Sequence, residues 1–208
     1  MSPNAHWTLE FLVGATALQR LLELALSRRN LRRLPEAARA ADSDANWITL
    51  VTAQVLWLAG CALEPMLRGQ PAPAFCFWTG LVFFLAGESL RVWCMRTLGS
   101  AWNARARVDP GQRVVTRGPY RWIRHPNYLG VLLELFGLPL AGAAWWTLAF
   151  SLPLHLVVFL RRIRGEDALL FALPGYADSM GRKGALVPRL GSRPRNARNR
   201  PEVRSGAG

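Results

Sequence analysis

The chain has 208 residues, 51% of them hydrophobic, and a formal net charge of +13 at pH 7. Its apolar residues occur in long blocks with the charges between them, which is typical of a membrane protein and argues against a soluble nucleic-acid-binding domain. The three cysteines, Cys61, Cys76 and Cys94, lie inside apolar blocks without CxxC spacing. Neither a disulfide framework nor a metal site is indicated, and we expect buried free thiols.

Five apolar stretches approach the ~20 residues that cross a hydrocarbon core. They are residues 7–26, 47–67, 74–95, 128–144 and 147–163. The last two are predicted to form a hairpin that turns near Gly142 and the Trp145–Trp146 pair. The sequence therefore predicts an all-α integral-membrane protein with five transmembrane helices in one domain, residues 1–190. No basic segment precedes the first stretch, so we expect it to be retained and not cleaved as a signal peptide.

Arginines are concentrated between spans one and two, between spans three and four, and after span five. The other two loops are short and contain only Arg68. The positive-inside rule places the arginine-rich segments in the cytoplasm and the N-terminus outside. Residues 191–208, which are rich in Arg, Pro and Gly, are predicted to be a disordered basic tail attracted to anionic lipid.

Charged residues inside the predicted spans are costly at membrane depth and usually find partners. Arg20 and Glu23 are three residues apart, as are Glu88 and Arg91, so each pair is predicted to form on one helix face.

Two further polar residues in the spans need a different interpretation. Glu134 has no basic residue within its own span. It either lines a substrate cavity or bonds to a neighbouring helix. His155, close to Pro153, is predicted to be a hydrogen-bonded structural histidine.

The segment RGPYRWIRHPNYLG, residues 117–130, links spans three and four. Proline bends the backbone at Gly118–Pro119 and at His125–Pro126, and Pro126 is predicted to begin the helix of span four. The free N–H groups of that first turn suit an anionic group. Nearby side chains offer an aromatic wall and a fork for a carboxylate: Tyr120, Trp122, Tyr128 and Arg124. The segment is interpreted either as part of a site for a nucleoside-bearing ligand or as a basic aromatic anchor at the interface.

Residues 164–190 follow span five. They are predicted to contain a short helix in RGEDALLFAL, a break at Pro174–Gly175, and a small ordered cap that ends near VPRL.

These motifs together resemble one family. RGPYRWIRHPNYLG, an apolar hairpin, and then Arg162 four residues before the acidic pair Glu166–Asp167 are similar to the isoprenylcysteine carboxyl methyltransferase family over about residues 97–190. Members are integral-membrane enzymes that use S-adenosylmethionine (SAM). The resemblance implies a cytoplasmic cofactor pocket formed by the span 3–4 linker, the RHPxY turn and the C-terminal helix.

The resemblance also implies roles for individual residues. Arg162 and Glu166 are the implied catalytic residues, with Arg162 meeting the acidic group of the substrate. The implied cofactor-binding residues are Gln112, Val114, Val115, Tyr120, His125, Pro126, Asn127, Tyr128 and Glu166. Two positions depart from the family: members often have histidine where this chain has Gln112, and the usual G-x-x-Y-x-x-Y is here the shorter PGYADSM.

The implied activity is SAM-dependent O-methylation of a lipophilic, membrane-embedded acceptor. A prenylcysteine carboxylate, a phospholipid amine and a long-chain phenolic lipid remain open; the pattern LGSAWNARARV…VTRGPYRW resembles enzymes of the last kind. A carboxylate needs no base, whereas a phenol, with a pKa near ~10, needs activation, for which Glu134 and His125 are candidates. The alternatives are a membrane reductase of the sterol-reductase type that uses NADPH, and a non-catalytic basic anchor.

Overall fold

The protein is described here by a computed structural model that covers residues 4–36, 47–105 and 107–189. Its helices are α1 (Asn4–Leu31), α2 (Trp47–Arg68), α3 (Ala74–Leu98), α4 (Pro126–Gly142), α5 (Trp145–Phe171) and α6 (Tyr176–Met180), with 3-10 turns at Gly99–Ala101 and Gly118–Arg121. These ranges contain no strand, only an isolated parallel bridge between Ile123 and Gly184. The predicted all-α class is confirmed, and the predicted basic tail lies outside the described residues.

Within the described ranges, three helices are long and apolar enough to cross a membrane: α2, α3 with its following turn, and α5. Helix α1 has 28 residues but carries Glu10, Arg20 and Glu23. Helix α4 has only 17 residues, which is about 25 Å at 1.5 Å per residue. Three of the five predicted spans are therefore confirmed as helices of membrane-crossing length and composition. The count of five stays a prediction.

Helix α4 lies at the centre of the helices, and the others surround it. Leu135 and Leu138 on α4 are fully buried. By contrast, large apolar side chains on the surrounding helices are exposed, such as Phe11 on α1, Phe75 on α3 and Phe150 on α5. An outward-facing apolar surface around a packed central helix is the arrangement expected in lipid.

Glycines set the close approach of α3 and α4. A Cβ added to Gly80 would lie 2.3 Å from the backbone nitrogen of Ala141, and one added to Gly137 would lie 2.4 Å from that of Phe84. About two helical turns after Gly80 on α3, a Cβ added to Gly87 would lie 2.5 Å from the carbonyl oxygen of Gly130. The two antiparallel helices therefore pack backbone against backbone, as small residues allow in membranes.

Gly137→Ala is expected to lower the melting temperature by about 3–8 °C, because a methyl group against the α3 backbone forces the helices apart at about 1–3 kcal/mol. Gly14→Ala on α1 is the matched control, since nothing lies within 4 Å of its added Cβ. Thermal unfolding of both detergent-purified variants tests this. Equal melting temperatures would show that the contact is not tight.

The predicted hairpin between spans four and five is confirmed, because α4 ends at Gly142 and α5 begins at Trp145. The start of α5 is capped from another helix. The Glu64 carboxylate on α2 accepts hydrogen bonds from the backbone N–H groups of Trp146, at 2.9 Å, and Thr147, at 2.8 Å. This carboxylate takes the role that a local N-cap side chain usually has.

Residues 164–171 are helical, as predicted, but they continue α5 without interruption to Phe171 and do not form a separate short helix. Gly165 alone does not end a helix whose neighbours are good helix formers. The predicted break is confirmed: Gly175 has φ +75° and α6 begins at Tyr176. The chain then returns to the turn before α4, residues 117–125, which we call the central turn. There the N–H groups of Arg124 and His125 donate to the carbonyls of Gly184 and Ala185 at 3.0 and 2.9 Å.

Candidate functional site

The central turn and the end of α5 are joined by charged and polar side chains. The Arg124 guanidinium lies 2.9 Å from one oxygen of Asp167, and His125 Nε2 lies 2.8 Å from the other. The Tyr128 hydroxyl donates to Glu166 Oε2 at 2.8 Å. Asp167 thus fixes the turn, and Tyr128 holds the neighbouring carboxylate.

The local sequence explains this geometry. Pro126 is the first residue of α4, as predicted, and its fixed φ suits that position. His125 precedes it outside the helix, with φ −122°, so its ring and the Tyr128 ring three residues later both reach α5. Glu166 lies one helical turn after Arg162, which places both on the same side of α5.

Arg162 is 7% exposed and connects three parts of the chain. Its Nη2 donates to the Ala104 carbonyl in the span 3–4 linker. Its guanidinium lies over the rings of Tyr128 and Trp47, 5.9 and 6.0 Å from the ring centroids. These contacts hold a cation at the junction of the linker, α2 and α4.

A cavity of about 720 Å³ lies at this junction. Its polar end is formed by His125, Tyr128, Arg162 and Glu166, which belong to the turn and α5. Its apolar arm extends between α1 and α2, along Val13, Ala17, Leu21, Leu50, Val55 and Leu58. The volume is in the range of small-molecule sites, and the lining suits a ligand with one polar and one lipophilic part.

Several buried polar atoms on the cavity wall lack a hydrogen-bond partner among the described residues. They are Gln54 Nε2, Trp102 Nε1, Asn103 Oδ1 and Asn127 Oδ1. Buried polar groups are nearly always hydrogen-bonded. Donors and acceptors on a bound ligand are therefore the expected partners of these atoms.

The structure does not bring five of the predicted cofactor contacts to the lining of this cavity: Gln112, Val114, Val115, Tyr120 and Pro126, of which Pro126 is fully buried at the start of α4. Val114 and Val115 pack against Tyr120 in a second apolar cluster, together with Cys94 and residues of the C-terminal cap. Burial raises the pKa of the Tyr120 phenol, which stays neutral. Gln112 lies in the linker, where its N–H donates to the Asp109 carbonyl at 3.0 Å.

Five charged residues from α1, α3 and α4 form a cluster beside the cavity, which we call the intramembrane cluster: Glu23, Arg91 and Glu134, which are buried, and Arg20 and Glu88, which are partly buried. The predicted pair of Arg20 and Glu23 is confirmed at 3.0 Å. The predicted pair of Glu88 and Arg91 is wrong. Arg91 bonds to Glu23 and, at 3.2 Å, to Glu134, because those carboxylates face it from neighbouring helices.

Glu134 is fully buried and bonds to both Arg20 and Arg91. Of the two interpretations left open by the sequence, it bonds to neighbouring helices. Arg20, Glu23 and Arg91 line the cavity, and Glu134 lies behind them. The predicted contact of Glu134 with a substrate is therefore not formed by this cavity.

Other sequence predictions are also resolved by the structure. His155 is fully buried, and its Nδ1 donates to the Ser151 carbonyl at 2.7 Å, which confirms the hydrogen-bonded histidine. The cysteines are free, with Cys61 and Cys94 buried and Cys76 partly buried. Among the described residues, no His, Cys, Asp and Glu side chains cluster closely enough to hold a metal ion.

Sequence reasoning missed the role of Asp167 and the contribution of α1 and α2 to the cavity. The sequence could have identified Asp167, because it adjoins Glu166 in the acidic pair. It could also have identified the α1 residues of the cavity, because charged residues inside a span indicate a face that points into the protein. Gln54 and Trp47 gave no signal that separates them from ordinary residues of a span.

Comparison with known proteins agrees with the fold and the motifs. The model of the isoprenylcysteine carboxyl methyltransferase (ICMT) family matches residues 79–172. The chain is 29% identical over 160 residues to the uncharacterised protein YpbQ of Bacillus subtilis, covering 76% of this chain and 94% of that protein. It is 26% identical over 133 residues to protein-S-isoprenylcysteine O-methyltransferase of Saccharomyces cerevisiae, covering 56% of this chain and 51% of the yeast protein.

A solved structure of the eukaryotic intramembrane Ras methyltransferase ICMT is similar in fold, with a TM-score of 0.52 and 22% sequence identity. The match covers 78% of this chain and 60% of that one. The chain thus spans nearly the whole length of the bacterial relative, but only about half of the yeast enzyme.

Proposed function

Since residues 79–172 match the model of the isoprenylcysteine carboxyl methyltransferase family, we propose that the chain belongs to that family and is a SAM-dependent O-methyltransferase of a lipophilic acceptor in the membrane. The observation that supports this most is the shape of the cavity. Its polar end carries Glu166 and Arg162, and its apolar arm lies between α1 and α2. A charged cofactor and a lipid chain fit the two ends of such a cavity.

The residues at the polar end fit SAM by their chemistry. Asn103 and Asn127 present buried carbonyl oxygens that accept no hydrogen bond from the described part of the chain, which suits the ammonium and hydroxyl groups of a nucleoside amino acid. Glu166 offers a carboxylate to a cation, and Tyr128 and Trp47 offer aromatic faces to a sulfonium. SAM, when bound, supplies an electrophilic methyl group.

We assign the following roles to residues of this chain. Asp167 holds His125 and Arg124, which keeps the turn closed over the polar end. Glu166 binds the cofactor, and Arg162 orients the acceptor oxygen. His125, Asn127 and Tyr128 complete the cofactor site, and Pro126 sets the start of α4 between them. Gln112, Val114, Val115 and Tyr120 belong to the preceding linker, outside the cavity. Methyl transfer by in-line displacement depends mainly on such positioning and on excluding water.

The proposal includes the topology. Five spans put every arginine-rich segment on one side of the membrane. The N-terminus then lies outside, and the turn, Arg162 and Glu166 lie at the cytoplasmic interface. The acceptor enters the apolar arm from the bilayer.

Ligand binding to the detergent-purified protein tests the proposal. We expect saturable binding of SAM and of S-adenosylhomocysteine, with no binding of NADPH. Incubation of membranes with methyl-labelled SAM is then expected to label a lipid-soluble product. Base-labile label identifies a carboxyl ester, and base-stable label an ether or an amine. Binding of NADPH without SAM would instead favour a membrane reductase.

A further inference from the structure

Helix α1 lies outside residues 79–172, which match the family model, so the family match assigns it no role. Its buried polar residues are Thr16, Glu23, Ser27 and Asn30. At 3.6 residues per turn, these four positions fall on one face of the helix. Large apolar side chains elsewhere on α1, such as Phe11 and Leu22, are exposed. The inward face of α1 therefore makes directional contacts, and its position depends on hydrogen bonds to particular groups.

The end of α1 holds the first part of the span 3–4 linker. The Asn30 side-chain amide donates to the Trp102 carbonyl at 2.7 Å and to the Gly99 carbonyl at 3.3 Å. The Ser27 hydroxyl oxygen accepts a hydrogen bond from the Ala104 N–H at 3.0 Å. The linker backbone around Ala104 is neither helix nor strand. Side chains of α1 thus supply the partners that regular secondary structure provides elsewhere.

Asn103 lies between these two anchored residues and on the wall of the cavity. Its Oδ1 is buried and has no hydrogen-bond partner among the described residues. The carbonyl of the next residue, Ala104, accepts a hydrogen bond from Arg162 Nη2. The backbone is therefore fixed at the Trp102 carbonyl and at both polar groups of Ala104, so the direction of the Asn103 side chain is set from outside the linker.

The apolar arm of the cavity is lined by residues of the same helix: Val13, Ala17 and Leu21. Further along α1, Glu23 bonds to Arg91 on α3. From Ala17 to Asn30 the helix rises about 20 Å, at 1.5 Å per residue. One rigid element therefore sets both the apolar arm and the wall that carries Asn103.

We propose that Asn30 is a positioning residue of the cofactor site, which holds the linker so that Asn103 meets SAM; this rests on the proposed function. The alternative is that Asn30 stabilises the helix packing without affecting the ligand. If Asn30 acts through the linker, the loss of SAM affinity on removing its amide depends on the presence of Asn103. If Asn30 is only a structural tether, the two substitutions act independently.

A double-mutant cycle separates these two roles. The variants are Asn30→Ala, Asn103→Ala and the double variant, with Thr16→Ala as the matched control. Thr16 is buried on the same face of α1, but its hydroxyl donates to the Leu12 carbonyl of its own helix, at 2.7 Å. Calorimetric titration of the detergent-purified, full-length protein with SAM measures the affinity, and thermal unfolding measures the stability of each variant.

We expect Asn30→Ala to weaken SAM binding by about 5- to 20-fold, because the loss of its hydrogen bonds releases the linker. Asn103→Ala is expected to weaken binding by a similar factor. The double variant is expected to lie within about threefold of Asn103→Ala alone, since the linker then has no Asn103 left to position. Thr16→Ala is expected to bind SAM as the wild type does, even where its melting temperature falls.

Ser27→Ala extends the test with a milder change, because it removes only the acceptor of the Ala104 N–H. We expect a loss of SAM affinity of about threefold, which disappears when Asn103 is already alanine. Should Asn30→Ala fail to fold, this second cycle decides in its place.

Four results would overturn the inference. Unchanged affinity in Asn30→Ala or in Asn103→Ala would show that cofactor binding does not depend on this wall. Losses that add in the double variant would place the effect of Asn30 elsewhere. An equal loss in Thr16→Ala would indicate a general loosening of α1. Absence of SAM binding by the wild type would contradict the proposed function itself, whereas the other three results leave it intact.

Discussion

Glu166→Gln is expected to weaken SAM binding by about 10- to 100-fold, because a charge-assisted hydrogen bond contributes about 1.5–3 kcal/mol. Glu166 lies on the cavity wall, and its Oε2 accepts a hydrogen bond from the Tyr128 hydroxyl at 2.8 Å. The amide keeps the shape and can still accept that bond, so the variant removes charge while it preserves packing. Calorimetric titration of the detergent-purified protein with SAM measures the change.

Two further variants identify the cause of the loss of SAM affinity in Glu166→Gln. Asp178→Asn removes a carboxylate from an exposed position on α6 and should leave the affinity unchanged. Tyr128→Phe keeps the carboxylate but removes its hydrogen bond, for which we expect a loss of about fivefold. Unchanged affinity in Glu166→Gln would exclude this carboxylate from the cofactor site. An equal loss in Asp178→Asn would indicate a general effect of charge.

The parts of the site that the sequence predicted depend on local chemistry. Pro126 starts α4 because proline suits a first helical turn, and the α4–α5 hairpin turns where apolar residues give way to Gly142. The contact between the turn and Glu166 was also predictable, since the positive-inside rule assigns both arginine-rich segments to the same side of the membrane. The structure shows that contact as the Tyr128–Glu166 hydrogen bond.

The parts that could not be predicted depend on how helices pack. Glu88 and Arg91 have the spacing of an ion pair, yet Arg91 bonds to Glu23 on α1 and Glu134 on α4. That choice follows from the glycine contacts that bring α3 and α4 together, which a single sequence does not reveal. Spacing along one helix identifies possible partners, and the neighbouring helices decide among them.

The length of α5 is a similar case. Charged residues after residue 160 indicate the end of an apolar span, but they do not end a helix, because Arg, Glu and Leu all favour helical backbone. The helix therefore continues to Phe171 and carries Arg162 and Glu166 on one rigid element. The separation between these two residues is fixed by helix geometry and not by a flexible joint, which is a useful property in a site that works by positioning.

Arg162→Lys is expected to lower kcat/KM for the lipid acceptor by about 100- to 1,000-fold and to change SAM affinity by less than about threefold. The lysine keeps the positive charge and can still donate to the Ala104 carbonyl, so the linker stays in place. It loses the planar fork, which in the wild type lies over the Tyr128 ring while Nη2 bonds to the linker. An acceptor oxygen that gains or shares charge in the transition state needs a donor held in that fixed direction.

Arg161→Lys is the matched control, because Arg161 is the exposed neighbour on the same helix. Initial rates at varied acceptor concentration, with SAM saturating, separate kcat from KM. A rise in KM alone would assign Arg162 to acceptor binding, whereas a fall in kcat shows that it acts on the transition state. Loss of SAM affinity equal to the loss of rate would contradict the division of roles, because it would place Arg162 in the cofactor site with Glu166.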